Sequence, residues 1–122
     1  IAVLGCGIDF ICPTSNAMLY HEIINHGAVV SEYSGMIRPC KDAFKRRNRI
    51  ISGLSLGVVV IEGTETSGSL ITARFAAEQG REVFAVPGPI TSMNSRAPAT
   101  LIKNGAKLVE SVEDIINELN YC

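Results

Sequence analysis

Short runs of apolar residues alternate along this chain with longer segments in which apolar and polar residues recur at helical spacing. Five apolar runs are predicted to form strands: Ile1–Leu4, Ala28–Ser31, Gly57–Ile61, Glu82–Val86 and Ala106–Val109. The first four are rich in Val, Ile, Leu and Ala with little interruption, which is typical of strands covered on both faces.

The segments between these runs are predicted to be helices, because their apolar residues return every three or four positions and capping residues flank them. Their predicted extents are about Ser15–Asn25, Asp42–Gly53, Ser69–Gln79, Ala99–Asn104 and Val112–Leu119. Thr14 or Ser15 is the expected N-cap of the first helix and Gly27 its C-terminal signal, while Ser111 is expected to cap the last helix.

Strands that alternate with helices form βαβ units, and successive units build a parallel sheet with helices on both faces. The sequence therefore predicts one α/β domain over residues 1–122, a three-layer, doubly wound, mainly parallel sheet of the Rossmann type. A length of 122 residues suits one domain, and a hydrophobic content of 47% suffices for a core. Because the chain opens on Ile1 inside a predicted strand, we expect it to be a fragment of a longer protein.

The overall charge is close to neutral, with 11 basic and 12 acidic residues and a formal net charge of −1. That balance alone argues against a nucleic-acid-binding protein, which usually carries an excess of basic residues. The positive charges are not evenly spread, however. Positions 38–49 hold six of the 11 basic residues and one carboxylate, so this segment carries +5 and the remainder of the chain −6.

These positions, called the basic segment below, also contain an aromatic ring and an amide. The basic residues are Arg38, Lys41, Lys45, Arg46, Arg47 and Arg49, and Phe44 and Asn48 lie among them. An aromatic ring among cations is the composition that stacks bases and holds phosphates in single-stranded nucleic acid. Like charges that share a helix face repel each other without an anionic partner. A solvated helix face is the alternative interpretation, and the charge pattern alone leaves both open.

Glycine and hydroxyl residues follow the third predicted strand and open the third helix, in residues 62–69, called the glycine–hydroxyl segment below. Free backbone N–H groups and the helix dipole favour an anion at such a start, so Ser67, Gly68 and Ser69 are candidate phosphate contacts. Glu62 and Glu65 would repel a phosphate and suit a ribose hydroxyl or a base amine better. An ordinary polar loop with a serine cap is the alternative.

Gly5 and Gly7 follow the first predicted strand, where glycine lets a ligand approach the backbone closely. This turn lacks the third glycine of a dinucleotide-binding fingerprint. In open α/β sheets, ligands bind beyond the carboxyl ends of the strands. We therefore expect this turn, the basic segment and the glycine–hydroxyl segment to border one groove.

No catalytic, metal or cofactor site is predicted from the residues. Neither His21 nor His26 lies in a glycine-rich turn. The four cysteines form no Cys-x-x-Cys pair and no zinc-ligand spacing with a histidine: Cys6, Cys12, Cys40 and Cys122. No apolar run approaches the roughly 18 residues of a membrane span, and no signal peptide is visible. We expect free thiols, no membrane contact and a cytoplasmic location.

Several motifs resemble, in the same order, those of the DNA-processing protein A family (DprA, also called Smf). The matching stretches are residues 3–9 with Pro13 and Asn16 (family pattern VLGxGxDxxYPxxN), Ser31-Glu32 (SE), 44–55 (FPxRNRIISGLS), 67–73 (SGSLITA), 84–88 (VFAVPG) and 101–106 (LIxxGA). The similarity is collinear from about Val3 to Ile116.

The resemblance implies an extended Rossmann fold, binding of single-stranded DNA, and loading of RecA onto that DNA in natural transformation and recombination. It also implies a homodimer formed through the later elements of the sheet, with no catalysis and no cofactor. The residues that it implies as DNA contacts, beside the basic Lys45 and Arg46, are Phe44, Arg47, Asn48 and Arg49, then Ser67, Gly68 and Ser69 at the helix start, with Gly5 and Gly7 bordering the same pocket.

This sequence departs from the family pattern at several positions. Lys45 stands where the family has Pro, and Thr66 stands where a basic residue often precedes SGS. Cys12 stands where Tyr is usual, and Ala97 and Ala99 replace the Gly and Asn usual before LIxxGA. The family's glycine-serine-arginine loop, which supplies part of the DNA pocket, does not occur here. We expect a fragment that lacks the N-terminal part of the family's domain and any C-terminal domain.

Two other functions stay open at this point. Gly63-Thr64-Glu65 faintly resembles part of the PGGxGTxxE loop of nucleoside monophosphate phosphoribohydrolases, which have related Rossmann-like folds. That resemblance predicts an enzyme that depends on Glu65, although the leading PGG is missing. A scaffold whose groove no longer binds a ligand, and whose partner surface carries the function, is the third interpretation.

Overall fold

The computed structural model describes residues 1–120 of the chain. These residues form two compact units, a first unit of Ile1–Ile50 and a second unit that starts at Ile51.

Cys6 is buried, and Cys12 and Cys40 are exposed, and all three are free thiols as predicted. The fourth predicted free thiol, Cys122, lies outside the described residues.

The first unit is built on a pair of short parallel strands in which Ala2 pairs with Val29 and Leu4 with Ser31. Val3 on the first strand and Cys6 just after it are buried, and so is Ala43 on the helix that begins at Lys41. The elements in chain order are β1 (Ala2–Leu4), a 3-10 turn (Thr14–Asn16), α1 (Ala17–His26), β2 (Val29–Ser31) and α2 (Lys41–Gly53), whose last residues belong to the second unit.

The second unit contains a three-stranded parallel sheet. Its elements are β3 (Gly57–Val60), α3 (Gly68–Glu78), β4 (Glu82–Ala85), a 3-10 turn (Met93–Ser95), α4 (Arg96–Lys103), β5 (Lys107–Leu108) and α5 (Val112–Leu119). The spatial order of the strands is β3-β4-β5, so β4 lies in the centre.

The core of the second unit lies between α3 and the strands β3 and β4. Phe84 and Ala85 on β4 are fully buried, and so are Ala73 and Ala76 on α3. These two alanines are three residues apart and share one face of the helix, and their small side chains let α3 lie close to the sheet. This packing places the start of α3 just beyond the carboxyl end of β3.

The predicted order of elements and the parallel pairing are confirmed, which supports the α/β, Rossmann-like fold class. Among residues 1–120 the strands form two hydrogen-bonded sheets, β1-β2 and β3-β4-β5. Both faces are closely covered at the end of β4, whereas Val59 on β3 and both residues of β5 keep exposed side chains.

Two helix starts differ from the prediction. Thr14 and Ser15 do not cap α1, because they lie inside the 3-10 turn that precedes it. Helix α4 begins at Arg96 and not near Ala99. Pro98 lies in the first turn of this helix, where its missing N–H would have had no intrahelical acceptor. Ser111 caps α5 as predicted, in a capping box with Asp114.

None of the helices in residues 1–120 combines the length and the apolar character that crossing a membrane requires.

Candidate nucleic-acid interface

The turn after β1 is fastened to the loop after β2 by backbone hydrogen bonds. The N–H of Gly7 donates to the carbonyl of Ile37 at 2.7 Å, and the N–H of Asp9 donates to that of Gly35 at 3.0 Å. A Cβ atom at position 7 would collide with the backbone carbonyl of Gly35. Glycine is therefore required at Gly7 by packing within the protein, and the two loops hold each other at the carboxyl ends of their strands.

Gly5 forms the surface on which the ring of Phe44 lies. A Cβ atom at Gly5 would come within 2.5 Å of Cδ1 of the Phe44 ring, so glycine makes room for this contact. Phe44 as a whole is nevertheless 40% exposed. One part of Phe44 is thus packed against the β1 turn while another part is available to a ligand.

Arg47 is directed into the protein. Its Nη1 donates to the carbonyl oxygen of Val3 at 2.7 Å, and its Nε donates to Oδ1 of Asn48 at 3.3 Å. Its guanidinium carbon lies 5.7 Å from the centre of the Phe44 ring, within range of a cation–π contact. Arg47 and Asn48 therefore support the β1 strand and the Phe44 ring, in addition to lying in the basic segment.

Arg49 forms an ion pair with Glu32, the first residue after β2. Nη2 of the guanidinium donates to Oε1 of the carboxylate, and the two side chains remain 40% and 41% exposed. Sequence analysis had placed Glu32 only in a family motif and had missed this contact. The signal available was that Glu32 is the acidic residue nearest the start of the connection between β2 and α2.

Lys45 and Arg46 differ from these two arginines. Both are exposed, and within residues 1–120 neither side chain forms a hydrogen bond or an ion pair. The basic segment thus contains two kinds of cation. Arg47 and Arg49 are bonded to protein oxygens. The other four cations are exposed, and within residues 1–120 their side chains form no hydrogen bond or ion pair, so they are open to an external anion: Arg38, Lys41, Lys45 and Arg46.

The start of α3 is organised by its own serines. Oγ of Ser67 accepts a hydrogen bond from the N–H of Ser69 at 3.3 Å, and the two hydroxyl oxygens lie 2.8 Å apart. Ser67 is the N-cap, and Gly68, the first helical residue, is exposed. The serine cap that the alternative interpretation expects is therefore present, and an N–H at the exposed end of a helix of this length is also suited to an anion.

The loop before this helix start is held by the segment that precedes α4. The N–H of Gly63 donates to the carbonyl of Asn94 at 2.7 Å, and the carbonyl of Gly63 accepts from the N–H of Ala97 at 2.9 Å. Glu62 and Glu65 both point to solvent with exposed side chains. The glycine–hydroxyl segment is thus well ordered and acidic at its surface, and it contains no basic residue.

The buried thiol in the first unit has a structural role. Burial raises the pKa of Cys6, whose Sγ donates to the carbonyl of Phe10 at 3.2 Å. Tyr20, which sequence analysis had not singled out, donates its hydroxyl to the carbonyl of Ile8 at 2.9 Å. Together these contacts fix the turn that contains Gly5 and Gly7. In residues 1–120 no group of three or more potential metal ligands is clustered.

Comparison with known proteins identifies the relatives of this chain. The family model "DNA recombination-mediator protein A" matches residues 1–120. Protein Smf of Escherichia coli is 52% identical over 122 residues, covering 99% of this chain and 33% of its own length. DNA processing protein DprA of Bacillus subtilis is 49% identical, covering 98% of this chain and 40% of its own length. The chain thus spans between a third and two fifths of these relatives, and their names do not favour the nucleotide-hydrolase alternative.

Two solved structures share the fold. DNA processing protein A from Streptococcus pneumoniae superposes with a TM-score of 0.89 at 45% identity, covering 95% of this chain and 42% of that one. DNA processing protein A from Helicobacter pylori, in a structure concerned with its single-stranded DNA binding mode, superposes with a TM-score of 0.86 at 31% identity, covering 98% and 55%. The family match over residues 1–120, the sequence identities and the shared fold agree, and the chain belongs to the DNA recombination-mediator protein A family, that of DprA and Smf.

Proposed function

We propose that this chain binds single-stranded DNA as part of a DprA/Smf protein. The observation that carries the proposal is the half-exposed ring of Phe44, held on Gly5 and followed directly by the open cations Lys45 and Arg46. The solved relative from Helicobacter pylori, whose structure concerns single-stranded DNA binding, supports it.

The physical basis is stacking combined with phosphate neutralisation. An exposed aromatic ring stacks a base of any identity, and stacking contributes about 1–3 kcal/mol per base. Lys45 and Arg46, which follow Phe44 in the chain and are exposed, add positive charge that attracts the phosphates of a nucleic-acid backbone. A duplex hides the faces of its bases, so this arrangement favours single strands.

The remaining candidate residues have supporting roles in this proposal. Arg47 and Asn48 hold the Phe44 ring and β1. Arg49 supplies a further positive charge that attracts the DNA strand. Ser67, Gly68 and Ser69 offer backbone and hydroxyl donors to a phosphate. Gly5 and Gly7 shape the turn on which the ring lies.

At the level of the whole protein we propose a cytoplasmic homodimer that protects incoming single-stranded DNA and loads RecA onto it, without catalysing a reaction. Membership of the DprA/Smf family supports these roles. The matched relatives are two to three times longer than this chain, so these activities belong to the longer protein.

The test is fluorescence anisotropy of a labelled oligothymidine titrated with the 122-residue chain at about 50 mM and about 200 mM salt. Two to four engaged phosphates predict a log–log salt slope of about −1.4 to −2.8 on a single strand. The variant Lys45→Gln/Arg46→Gln is expected to weaken binding and to flatten the slope by about 1.4.

The control is Arg74→Gln/Lys103→Gln, which removes two exposed positive charges from α3 and α4 together with the exposed ion pair between Arg74 and Glu78. It is expected to bind nearly as the unmodified chain does. Equal losses in both double variants, or a salt slope indistinguishable from zero, would contradict the proposal.

A further inference from the structure

We propose that Glu32 competes with a DNA phosphate for Arg49 and thereby limits the affinity of the site. In the free protein the carboxylate occupies the guanidinium, and a nucleic-acid strand must displace it to use this charge. This inference rests on the proposed function, because it assigns to Glu32 a role in the same binding site.

The contact joins two parts of the fold that are distant in the chain. Glu32 is the residue that follows β2, and Arg49 lies in the second half of α2. The carboxylate and the guanidinium are in direct hydrogen-bonding contact, yet about two fifths of each side chain is exposed. The pair is therefore closed in the free protein and accessible to a competing anion from solvent.

The backbone on both sides of Glu32 is fixed. Oγ of Ser31 donates to the carbonyl of Cys6 at 2.6 Å and accepts from the N–H of Tyr33 at 3.0 Å. The carbonyl of Tyr33 in turn accepts from the N–H of Ile8 at 3.1 Å. A typical surface ion pair gives up side-chain freedom on both sides, which cancels much of its energy. Here the backbone that carries Glu32 is already held by these hydrogen bonds, so the ion pair does not have to order it.

Carboxylate and phosphate oxygens compete for the same donors. The N–H groups of a guanidinium form a planar fork that can donate to either anion. While Glu32 holds Arg49, the two exposed cations Lys45 and Arg46 are the open charges nearest Phe44 in sequence. This competition lowers affinity, and an amide in place of the carboxylate weakens it, because a neutral amide oxygen accepts a hydrogen bond from a guanidinium less strongly than a carboxylate does.

The expected effect follows from the strength of exposed ion pairs. Glu32→Gln is expected to tighten binding of a labelled oligothymidine by roughly two- to fivefold. If Arg49 then engages one more phosphate, the log–log salt slope steepens by about 0.7. Since the ion pair is at the surface, the variant is expected to unfold at nearly the same urea concentration as the unmodified chain.

The experiment is a double-mutant cycle with a charge-matched control. Anisotropy titrations compare the unmodified chain with Glu32→Gln, Arg49→Ala and the double variant, and circular dichroism confirms that each is folded. Glu22→Gln on α1 removes the same charge, and the Glu22 side chain forms no hydrogen bond or ion pair within residues 1–120. The expected result is tighter binding by Glu32→Gln alone, with no gain in the Arg49→Ala background or from Glu22→Gln.

The outcomes separate the inference from the proposed function. Binding that is unchanged or weaker in Glu32→Gln overturns the role of Glu32 and leaves DNA binding intact. An equal gain from Glu22→Gln, or a gain that persists without Arg49, assigns the effect to net charge and also overturns it. If the chain and every variant fail to bind, the proposed function itself is wrong and the inference falls with it.

Discussion

The basic segment and the glycine–hydroxyl segment each include the start of a helix that follows a strand, but they differ in charge. In the basic segment, two arginines are bonded to protein oxygens, Arg47 to Val3 and Arg49 to Glu32, while Lys45 and Arg46 are open. In the glycine–hydroxyl segment no cation is present, and Ser67 and Ser69 bond to each other at the helix start.

This difference separates two contributions to binding. Net positive charge attracts a nucleic-acid backbone over a distance and releases counterions, so the basic segment is expected to set affinity and its salt dependence. Backbone N–H groups and hydroxyls act only at hydrogen-bond distance, so the start of α3 is expected to orient a phosphate that is already close. Charge count alone would have treated every arginine of the basic segment as equivalent.

The largest effect is expected at Arg47, as a loss of stability. Arg47→Ala leaves the carbonyl of Val3 without its charged donor and removes the contact with Phe44, which is expected to lower the free energy of unfolding by about 1.5–3 kcal/mol. Arg46→Ala, which removes an exposed cation next to it, is expected to change it by less than about 0.5 kcal/mol. Urea denaturation followed by circular dichroism measures both. Equal stability of the two variants would show that Arg47 does not support the fold.

The second effect is expected at Phe44, as a loss of binding without a change in salt dependence. Phe44→Ala removes the stacking surface and is expected to weaken oligothymidine binding by about 1–3 kcal/mol, which is roughly 5- to 150-fold. Phe44→Tyr keeps a ring and is expected to retain most of the affinity. Anisotropy at two salt concentrations gives both the affinity and the slope. A parallel loss in Phe44→Tyr, or a flattened slope in Phe44→Ala, would mean that the ring does not stack a base.

A smaller effect is expected at Ser67, and it tests the glycine–hydroxyl segment directly. Ser67→Asn and Ser67→Asp both retain an N-cap acceptor, so both are expected to remain as stable as the unmodified chain. The aspartate adds a negative charge where a phosphate is proposed to approach, and it is expected to weaken binding by about fivefold relative to the asparagine. Equal affinities of the two variants would remove the start of α3 from the DNA site.

The smallest effect is expected at the acidic end of the second unit. Hydrogen bonds from the backbone N–H groups of Glu110 and then Ser111 lower the pKa of Asp114 in the folded chain. A lowered folded pKa adds stability above the unfolded pKa, and this stability is lost as pH falls through the folded pKa. The thermal midpoint of Asp114→Asn should therefore fall less between about pH 7 and about pH 3 than that of the unmodified chain.

The control for this prediction is Glu113→Gln, whose side chain forms no hydrogen bond within residues 1–120. It is expected to retain the acid sensitivity of the unmodified chain. If Asp114→Asn and Glu113→Gln respond to pH alike, the capping box of α5 is not the source of the difference.

Local patterns predicted most of the fold. Apolar runs located all five strands to within two residues, and Ser111 identified the cap of α5, because both signals depend on residues close together in the chain. The predicted start of α4 near Ala99 is three residues late, because Pro98 lies in the first turn of the helix, where proline is accepted. The pairing of strands into two separate ladders also could not be obtained from periodicity.

For the candidate site, the sequence by itself determined which residues carry charge, aromatic surface and hydroxyls, and that six cations crowd into residues 38–49. Tertiary structure decided which of these cations remain open. Arg47 meets the carbonyl of a residue 44 positions earlier, and Arg49 meets a carboxylate 17 positions earlier. Such partners come together only when the strands pair and α2 packs beside them, so their contacts leave no periodic trace in the sequence. The number of cations in residues 38–49 follows from the sequence, whereas the fold decides which of them remain open to a ligand.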